Sequence, residues 1–346
     1  MTTVRQHTGT GRKDGTGVTM RAVVQRRYGP AEVLHLDEVP RPEVTGDGVL
    51  VRVHAAGLDR GTWHLMTGLP YLSRLAFGLR RPKNPVPGSD VAGTVVAVGP
   101  AVTRFTVGDE VYGTGRGTFA EYTVAEEKQL ARKPANLSFA QAAVVPVSAS
   151  TALQGLDAGR LAAGQKVLVV GASGGVGSYA VQLAKAAGAE VTGVASAEKL
   201  DLVRALGADH VIDYRKEDWA DGAVRYDLVL DIAGNPTLTR LRRALTPTGA
   251  AVITGGEEGG SFSGGMNRQL RAVALSLVVR QRLTFFVGVT RASDLERLTR
   301  LIEDGRITPS LGATYPLDRA AEAMSDLAGG RVRGKAAIAV AVSEPR

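Results

Sequence analysis

Hydrophobic and polar positions follow two different rhythms along this chain. From residue 20 to about residue 137, short β-branched runs at 21–25, 49–55, 91–98 and 121–124 are separated by turn formers such as Tyr28-Gly29-Pro30 and Thr45-Gly46-Asp47-Gly48. That pattern predicts strands in a small, mostly β unit. Residues 63–87 carry apolar positions without a clean period and predict an irregular insertion. From about residue 138 strands and helices alternate. Residues 166–170 form a fully apolar strand. The stretch 176–187 then places Val176, Ala180, Leu183, Ala184 and Ala187 on one helical face. Further strands are expected at 190–195, 210–212, 226–231, 250–254 and 283–287, with helices over 199–206 and 237–244. Such alternation predicts a parallel sheet covered on both faces. The tail adds helices over 295–303 and 320–328 and a last strand at 336–342, expected to return to the first unit.

Composition narrows the function classes. At 346 residues two domains are expected. The absence of cysteine excludes disulfides, a thiolate nucleophile and any sulfur-ligated zinc site. No apolar run reaches the roughly 18 residues of a membrane span. Residues 1–19 are polar and Gly/Thr-rich without a signal-peptide core, and are expected to be a disordered leader. A cytoplasmic location follows as the simplest expectation, with no membrane partner. The net charge of +8 is spread thinly, and its densest groups, Arg80-Arg81-Lys83 and Arg331-Arg333-Lys335, are short. Nucleic acid is therefore not the expected partner, and a small anionic ligand is.

The strongest local signal is Lys166-Val-Leu-Val-Val-Gly171-Ala-Ser-Gly174-Gly175-Val-Gly177, which opens the helix at 176–187. Glycines let the backbone turn sharply and approach a pyrophosphate, and the helix start offers free N–H groups. A strand before and a strand after the loop supply the context of a dinucleotide cradle. The second strand ends in Ala195-Ser196-Ala197-Glu198-Lys199, without the acid that would grip unphosphorylated ribose. Ser196 and Lys199 suit a 2′-phosphate, so NADPH (NADP) is the expected cofactor, with Glu198 facing solvent.

Read in order, Val53-His-Ala-Ala-Gly-Leu-Asp59, Pro87-Gly-Ser-Asp90-Val-Ala-Gly93, Gly108-Asp-Glu-Val-Tyr-Gly113 and Gly117-Thr-Phe-Ala-Glu-Tyr122 resemble segments of the medium-chain dehydrogenase/reductase superfamily. The glycine loop, Leu206-Gly-Ala-Asp-His-Val-Ile-Asp-Tyr214 and Gly334-Lys335 extend the likeness, which runs from about residue 20 to 342 and points to the zinc-free quinone oxidoreductase, zeta-crystallin-like branch. The resemblance implies an α/β chain with a GroES-like, mostly β catalytic domain (20–140 and 290–346). A Rossmann domain with a doubly wound parallel sheet (141–289) would interrupt it, and NADP would lie in the cleft between them. It implies a homodimer as well.

Residue by residue, the resemblance places Asp59, Ser89 and Val147 where zinc-dependent members hold the metal. Ser89 and Val147 cannot rebuild such a site, so no metal is expected. Family members commonly carry Asn at the position of Asp59, and Asp here is a departure. Thr151 should approach the nicotinamide mononucleotide, and Gly175 and Val176 the pyrophosphate, within the loop Gly171, Gly174 and Gly177. Ser196, Lys199 and Tyr214 should surround the 2′-phosphate. Gly234, Gly255 and Phe285, Phe286 and Val287 should line the nicotinamide half, with Lys335 entering from the last strand.

His64 and Tyr71, on the substrate side of Asp59, are candidates for stabilising an enolate or delivering a proton. For each, an ordinary loop position is the more common reading of such a residue. His35, His54 and His210 read as structural. Asp90 and Glu110 read as hydrogen-bonded turn and strand-end carboxylates. Without a Lewis acid, hydride delivery to a conjugated alkene or quinone is the expected reaction, because its developing enolate needs only hydrogen bonds. A reductase or cyclase of specialised biosynthesis, and a cofactor-binding scaffold, remain alternatives.

Overall fold

The computed structural model describes residues 18–255 and 260–341. Most of the expected leader, residues 1–17, lies outside the described residues. Thr19, assigned to that leader, instead opens the first strand.

The first half builds β1 (Thr19–Val24), β2 (His35–Pro40), β3 (Gly48–Leu58), α1 (Arg60–Thr67), α2 (Arg74–Phe77) and β4 (Asp90–Val98). It continues with β5 (Glu110–Thr114), β6 (Tyr122–Glu126), β7 (Leu130–Arg132), α3 (Phe139–Ala143) and α4 (Pro146–Gly159). The second half runs β8 (Lys166–Val170), α5 (Gly175–Ala186), β9 (Glu190–Ala195), α6 (Leu200–Ala205), β10 (His210–Asp213), β11 (Tyr226–Asp231) and α7 (Leu238–Ala244). It closes with β12 (Leu245–Ile253), α8 (Met266–Ser276), β13 (Arg282–Phe285), α9 (Ala292–Glu303), β14 (Leu311–Pro316), α10 (Ala320–Ala328) and β15 (Lys335–Ala339).

Two larger sheets organise these elements. One has the order β14-β15-β3-β4-β5-β7, with β6 also paired to β3; the other is parallel in the order β10-β9-β8-β11-β12-β13. In the parallel sheet the order reverses between β9 and β11 around β8, a topological switch point where such sheets bind ligands. Its central strands β8 and β11 are almost wholly buried, as strands covered by helices on both faces are, while β10 and β13 at the edges are more polar. The last strand does return to the first unit: Ala336 of β15 stands opposite Leu58 of β3. One core, around Val51, Val53, Phe119 and Ile338, belongs to the first sheet; another, around Leu168, Val229, Leu241 and Ile253, to the parallel sheet; a third joins the two, with Tyr112 and Ala131 beside Val169, Tyr179 and Leu230.

Three expectations need correction. The insertion expected at 63–87 begins inside helix α1, because the Asp59 carboxylate caps the helix by accepting from Thr62 N–H and Gly68 ends it in the left-handed region. The strand expected at 283–287 stops at Phe285, so Phe286 and Val287 belong to the following loop and Val287 is exposed. Finally, α8 had no counterpart in the expected elements, since its apolar residues face outward and mimic a loop.

Candidate active site

Strand β8 delivers the chain to Gly171, whose φ of 88° only glycine adopts without strain. Gly174, extended, is the N-cap of α5. A Cβ on Gly177 would stand 2.1 Å from the Gly171 carbonyl oxygen, so a side chain there would force the turn open. The first-turn N–H groups of α5, at Gly175, Val176 and Gly177, have no intrahelical acceptor and point with the positive helix end out of the turn. This is a cradle for a pyrophosphate, and the residues present fit a dinucleotide.

Behind it lies Lys335, 2% exposed. Its Nζ donates to the Leu58 carbonyl at 2.6 Å and to Ser148 Oγ at 2.9 Å, and its stem lies where a Cβ on Gly175 would project. Lys335 thus touches the glycine turn from beneath and is spent on the protein's own oxygens. Ser148, which sequence reasoning missed, sits one turn before Thr151 on α4; its only sequence signal is that helical spacing.

Asp59 is almost fully buried. Its Oδ1 accepts from Thr62 N–H at 2.7 Å, and Oδ2 has no partner among the described residues. Gly57 lies two residues earlier, near the end of β3, and the Asp90 carboxyl packs directly over it. Asp90 is fully buried, with Oδ1 accepting from Val147 N–H at 2.9 Å and Oδ2 unpartnered. Burial pushes its carboxyl up to about 8; the Asp59 charge adds to the rise, while Lys335 and the Val147 N–H oppose it. Asp90 is therefore more than a turn residue, unlike Glu110, which opens β5 and pairs with Lys133 at 3.2 Å.

His64 holds the Leu69 carbonyl through Nδ1 at 2.7 Å. That nitrogen must carry the proton, which leaves Nε2 as an acceptor in the neutral ring. Tyr71 is half exposed, with the Arg74 guanidinium over its ring. His54 stacks on Phe139 and bonds Thr94, a structural setting.

At the adenosine end, Ser196 directly follows β9, and Tyr214 directly follows the neighbouring strand β10, half exposed. Lys199 does not stand free: its Nζ donates to the carbonyls of Gly330 and Val332, and burial, then Arg333, lowers its pKa. Glu198 is exposed as expected and pairs with Arg215 at 2.8 Å. Arg215 is a cation at this corner that sequence reasoning passed over, although it follows Tyr214 directly.

At the other end, Gly255 packs so closely on Ile232 that a Cβ would lie 1.9 Å from its carbonyl oxygen, and Gly234 takes φ 80°. Asp231 ends β11 buried, held up to about 6 by desolvation against the pull of Arg268. Arg268 reaches back from α8 to Asp231 at 2.6 Å and to the carbonyls of Pro236 and Gly255. This clamp was also missed; an acid terminating a buried parallel strand was its signal. Thr151 back-bonds to the Val147 carbonyl and lies against Gly288, while Phe286 approaches Gly155 on the same helix. The fold therefore brings Thr151, Phe286 and the Gly255 turn to one corner. Phe285 is half-buried at the end of β13, and Val287 turns away into solvent.

A parallel sheet with a glycine cradle at its switch point, joined to a β unit bearing polar residues, defines a dinucleotide-dependent oxidoreductase. Residues 45–135 match the alcohol dehydrogenase GroES-like domain, and residues 206–338 match a zinc-binding dehydrogenase domain. The chain is 36% identical to the NADPH-dependent alkenal/one oxidoreductase of Arabidopsis thaliana, over 92% of this chain and 79% of that protein. It is 31% identical to the quinone oxidoreductase of Mus musculus, over 89% of this chain and 94% of that one. The solved quinone oxidoreductase from Coxiella burnetii superposes with a TM-score of 0.83 at 28% identity, covering 94% of this chain and all of that one. The chain belongs to the medium-chain dehydrogenase/reductase superfamily, in its quinone oxidoreductase branch.

Zinc, which the second domain's description implies, does not fit the donors here. The chain has no cysteine, and no cluster of three or more metal-binding side chains occurs among the described residues.

Proposed function

We propose that this chain is an NADPH-dependent reductase of the C=C bond in α,β-unsaturated carbonyls or quinones. The observation that carries the reading is the glycine cradle at the switch point, set beside a polar face whose donors suit hydrogen bonding rather than a metal. Bound NADPH would supply the hydride. The N–H groups of Gly175 and Val176 would hold the pyrophosphate over Gly171, Gly174 and Gly177, and Ser196, Lys199, Tyr214 and Arg215 the 2′-phosphate. Thr151, Gly234, Gly255, Phe285 and Phe286 would border the nicotinamide half, with Val287 at its edge. Asp59 Oδ2, buried and unpartnered, can accept from a ribose or substrate hydroxyl. A proton for the α carbon would come from Tyr71, from solvent, or from His64 Nε2 in its imidazolium form. Lys335 supports the cradle from beneath.

We place the catalytic unit at 20–140 and 290–346 and the dinucleotide unit at 141–289, a division supported by one core confined to the first unit and another confined to the second, although a third packs residues of both together. A homodimer is part of the proposal, since β13 leaves the outer edge of its sheet unpaired among the described residues. So is a cytoplasmic location; among the described residues no helix is long and apolar enough to cross a membrane.

The test uses deuterium-labelled NADPH and a simple enone. Deuterium is expected on the β carbon alone. Deuterium on a carbinol carbon, or turnover of unconjugated alcohols only, would overturn the reading in favour of alcohol dehydrogenation.

A further inference from the structure

A single guanidinium spans the two turns proposed to border the nicotinamide half. Arg268 stands on the inward face of α8 with its side chain 12% exposed, against Asp231 at 1%. Its Nη1 donates to Asp231 Oδ2 at 2.6 Å and to the Pro236 carbonyl at 3.1 Å. Its Nη2 donates to the Gly255 carbonyl at 3.3 Å. Pro236 lies two residues beyond Gly234 in the turn after β11, and Gly255 lies in the turn after β12. The backbone of Asp231 joins the same turns: its carbonyl accepts from Thr254 N–H at 2.9 Å and from Gly255 N–H at 3.3 Å.

An arginine kept only to neutralise a buried carboxylate would close its fork on both carboxylate oxygens, the strongest geometry open to such a pair. Here the fork stays open. Asp231 Oδ1 and Arg268 Nε are both buried without a partner among the described residues. Each such atom costs stability, and what the open fork gains is a hold on two backbone carbonyls. The turn after β11 is wedged on either side as well. A Cβ on Gly171 would stand 2.6 Å from Ala233 Cβ, and one on Gly255 would stand 1.9 Å from the Ile232 carbonyl oxygen. That turn therefore packs between the glycine cradle and the Gly255 turn, and Arg268 ties the outer two together. Thr254, just before Gly255, backs onto Gly155 of α4 beside Phe286.

We propose that Arg268 is a positioning residue for the cofactor. It sets the separation of the Gly234 and Gly255 turns, and with it the slot that takes the nicotinamide, while the sites for adenosine and pyrophosphate stand without it. The strand order β10-β9-β8-β11-β12-β13 makes this effect selective. The 2′-phosphate corner belongs to the ends of β9 and β10 and the cradle to β8 and α5, whereas the clamp joins the ends of β11 and β12. The contact uses the inward face of α8 and is independent of what covers the outward one. The proposal rests on the reading of the site as an NADPH cleft, and not on the enone as its substrate.

The test titrates the full chain with two ligands: NADPH, and adenosine 2′,5′-bisphosphate, which carries the adenosine and the 2′-phosphate but no nicotinamide. Arg268→Met and Arg268→Met/Asp231→Asn should each bind the bisphosphate as wild type does, which shows that they fold. Each should bind NADPH about tenfold or more weakly, and the emission shift of the bound nicotinamide should shrink in parallel. The double variant separates positioning from stability. It buries no uncompensated charge, so a merely structural role for the pair would restore its NADPH binding. Arg268→Lys keeps a charge beside Asp231 but lacks the planar fork, and should fall between wild type and Arg268→Met. Wild-type NADPH affinity in the double variant overturns the proposal, and so does an equal loss of both ligands. Wild-type protein that binds neither ligand refutes the cofactor reading itself, and the proposal with it.

Discussion

Asp90 shows how one buried carboxyl makes stability depend on pH. Its folded pKa of about 8 lies far above the ordinary carboxylate value, with burial as the main cause. An acid shifted upward keeps its proton in the folded chain while the unfolded chain has lost it, so stability falls as pH rises toward the folded value. Asp231 has the same sign but is raised only to about 6, so the window from about pH 6.5 to about pH 8 isolates Asp90. Urea unfolding should show stability declining across that window by roughly 1.4 kcal/mol per pH unit at most. In Asp90→Asn, whose amide oxygen can still accept from Val147 N–H, the decline should vanish; an unchanged slope would assign it to another group. At the adenosine corner the expected effect is on affinity. Arg215→Ala should weaken NADPH by about 1–2 kcal/mol and leave NADH nearly unchanged. Lys199→Glu should show the same selectivity, provided the ammonium leaves the Gly330 and Val332 carbonyls for the phosphate. Fluorescence titration of both cofactors reads this, and equal changes for NADPH and NADH would remove these residues from the 2′-phosphate site.

Elements were legible from sequence where their apolar side chains face a core. The strand at β8 and the buried face of α5 follow from periodicity alone, and with them the cradle. What escaped was structure whose determinant is a polar contact or an outward face, and also α4, whose small residues are buried around most of the helix and so mark no single face. Helix α1 is set by one side-chain cap from Asp59, inside a stretch whose apolar residues are split between core and surface. Helix α8 hides its inward face behind Arg268, an arginine made acceptable there by a partner 37 residues earlier in the chain. The cradle itself yields a test of element geometry. In Gly177→Ala the new Cβ would meet a backbone carbonyl, which cannot yield without opening the turn, whereas in Gly175→Ala it would meet mainly the flexible stem of Lys335. Gly177→Ala should therefore abolish measurable NADPH binding while Gly175→Ala loses about tenfold or less, roughly 1.4 kcal/mol. Comparable losses in both would mean that the turn's shape is not what the cofactor recognises.

At the scale of the whole molecule, Lys335 is a buried ionic side chain that ties the two halves together. It rises from β15 of the first sheet, donates to Leu58 on β3, and crosses to Ser148 on α4, directly under the glycine turn. Methionine at this position would fill a similar volume but donate nothing, leaving the Leu58 carbonyl and Ser148 hydroxyl without their partner. Each unsatisfied buried group costs about 1–3 kcal/mol, so Lys335→Met should destabilise the fold by roughly 2–5 kcal/mol in urea. The dependence on pH separates this from simple packing loss. Lys335 opposes the upward shift of Asp90, so removing it drives that carboxyl still further up. Below about pH 8 Asp90 is neutral in both proteins and the cost should be nearly constant. Above it the wild type gains an ion pair that the variant cannot form, and the gap between them should widen. In the Asp90→Asn background that widening should disappear, because no carboxylate remains to be paired. A gap that widens equally in both backgrounds would show that Lys335 acts on some other acid, and that Asp90 and Lys335 are neighbours without being partners.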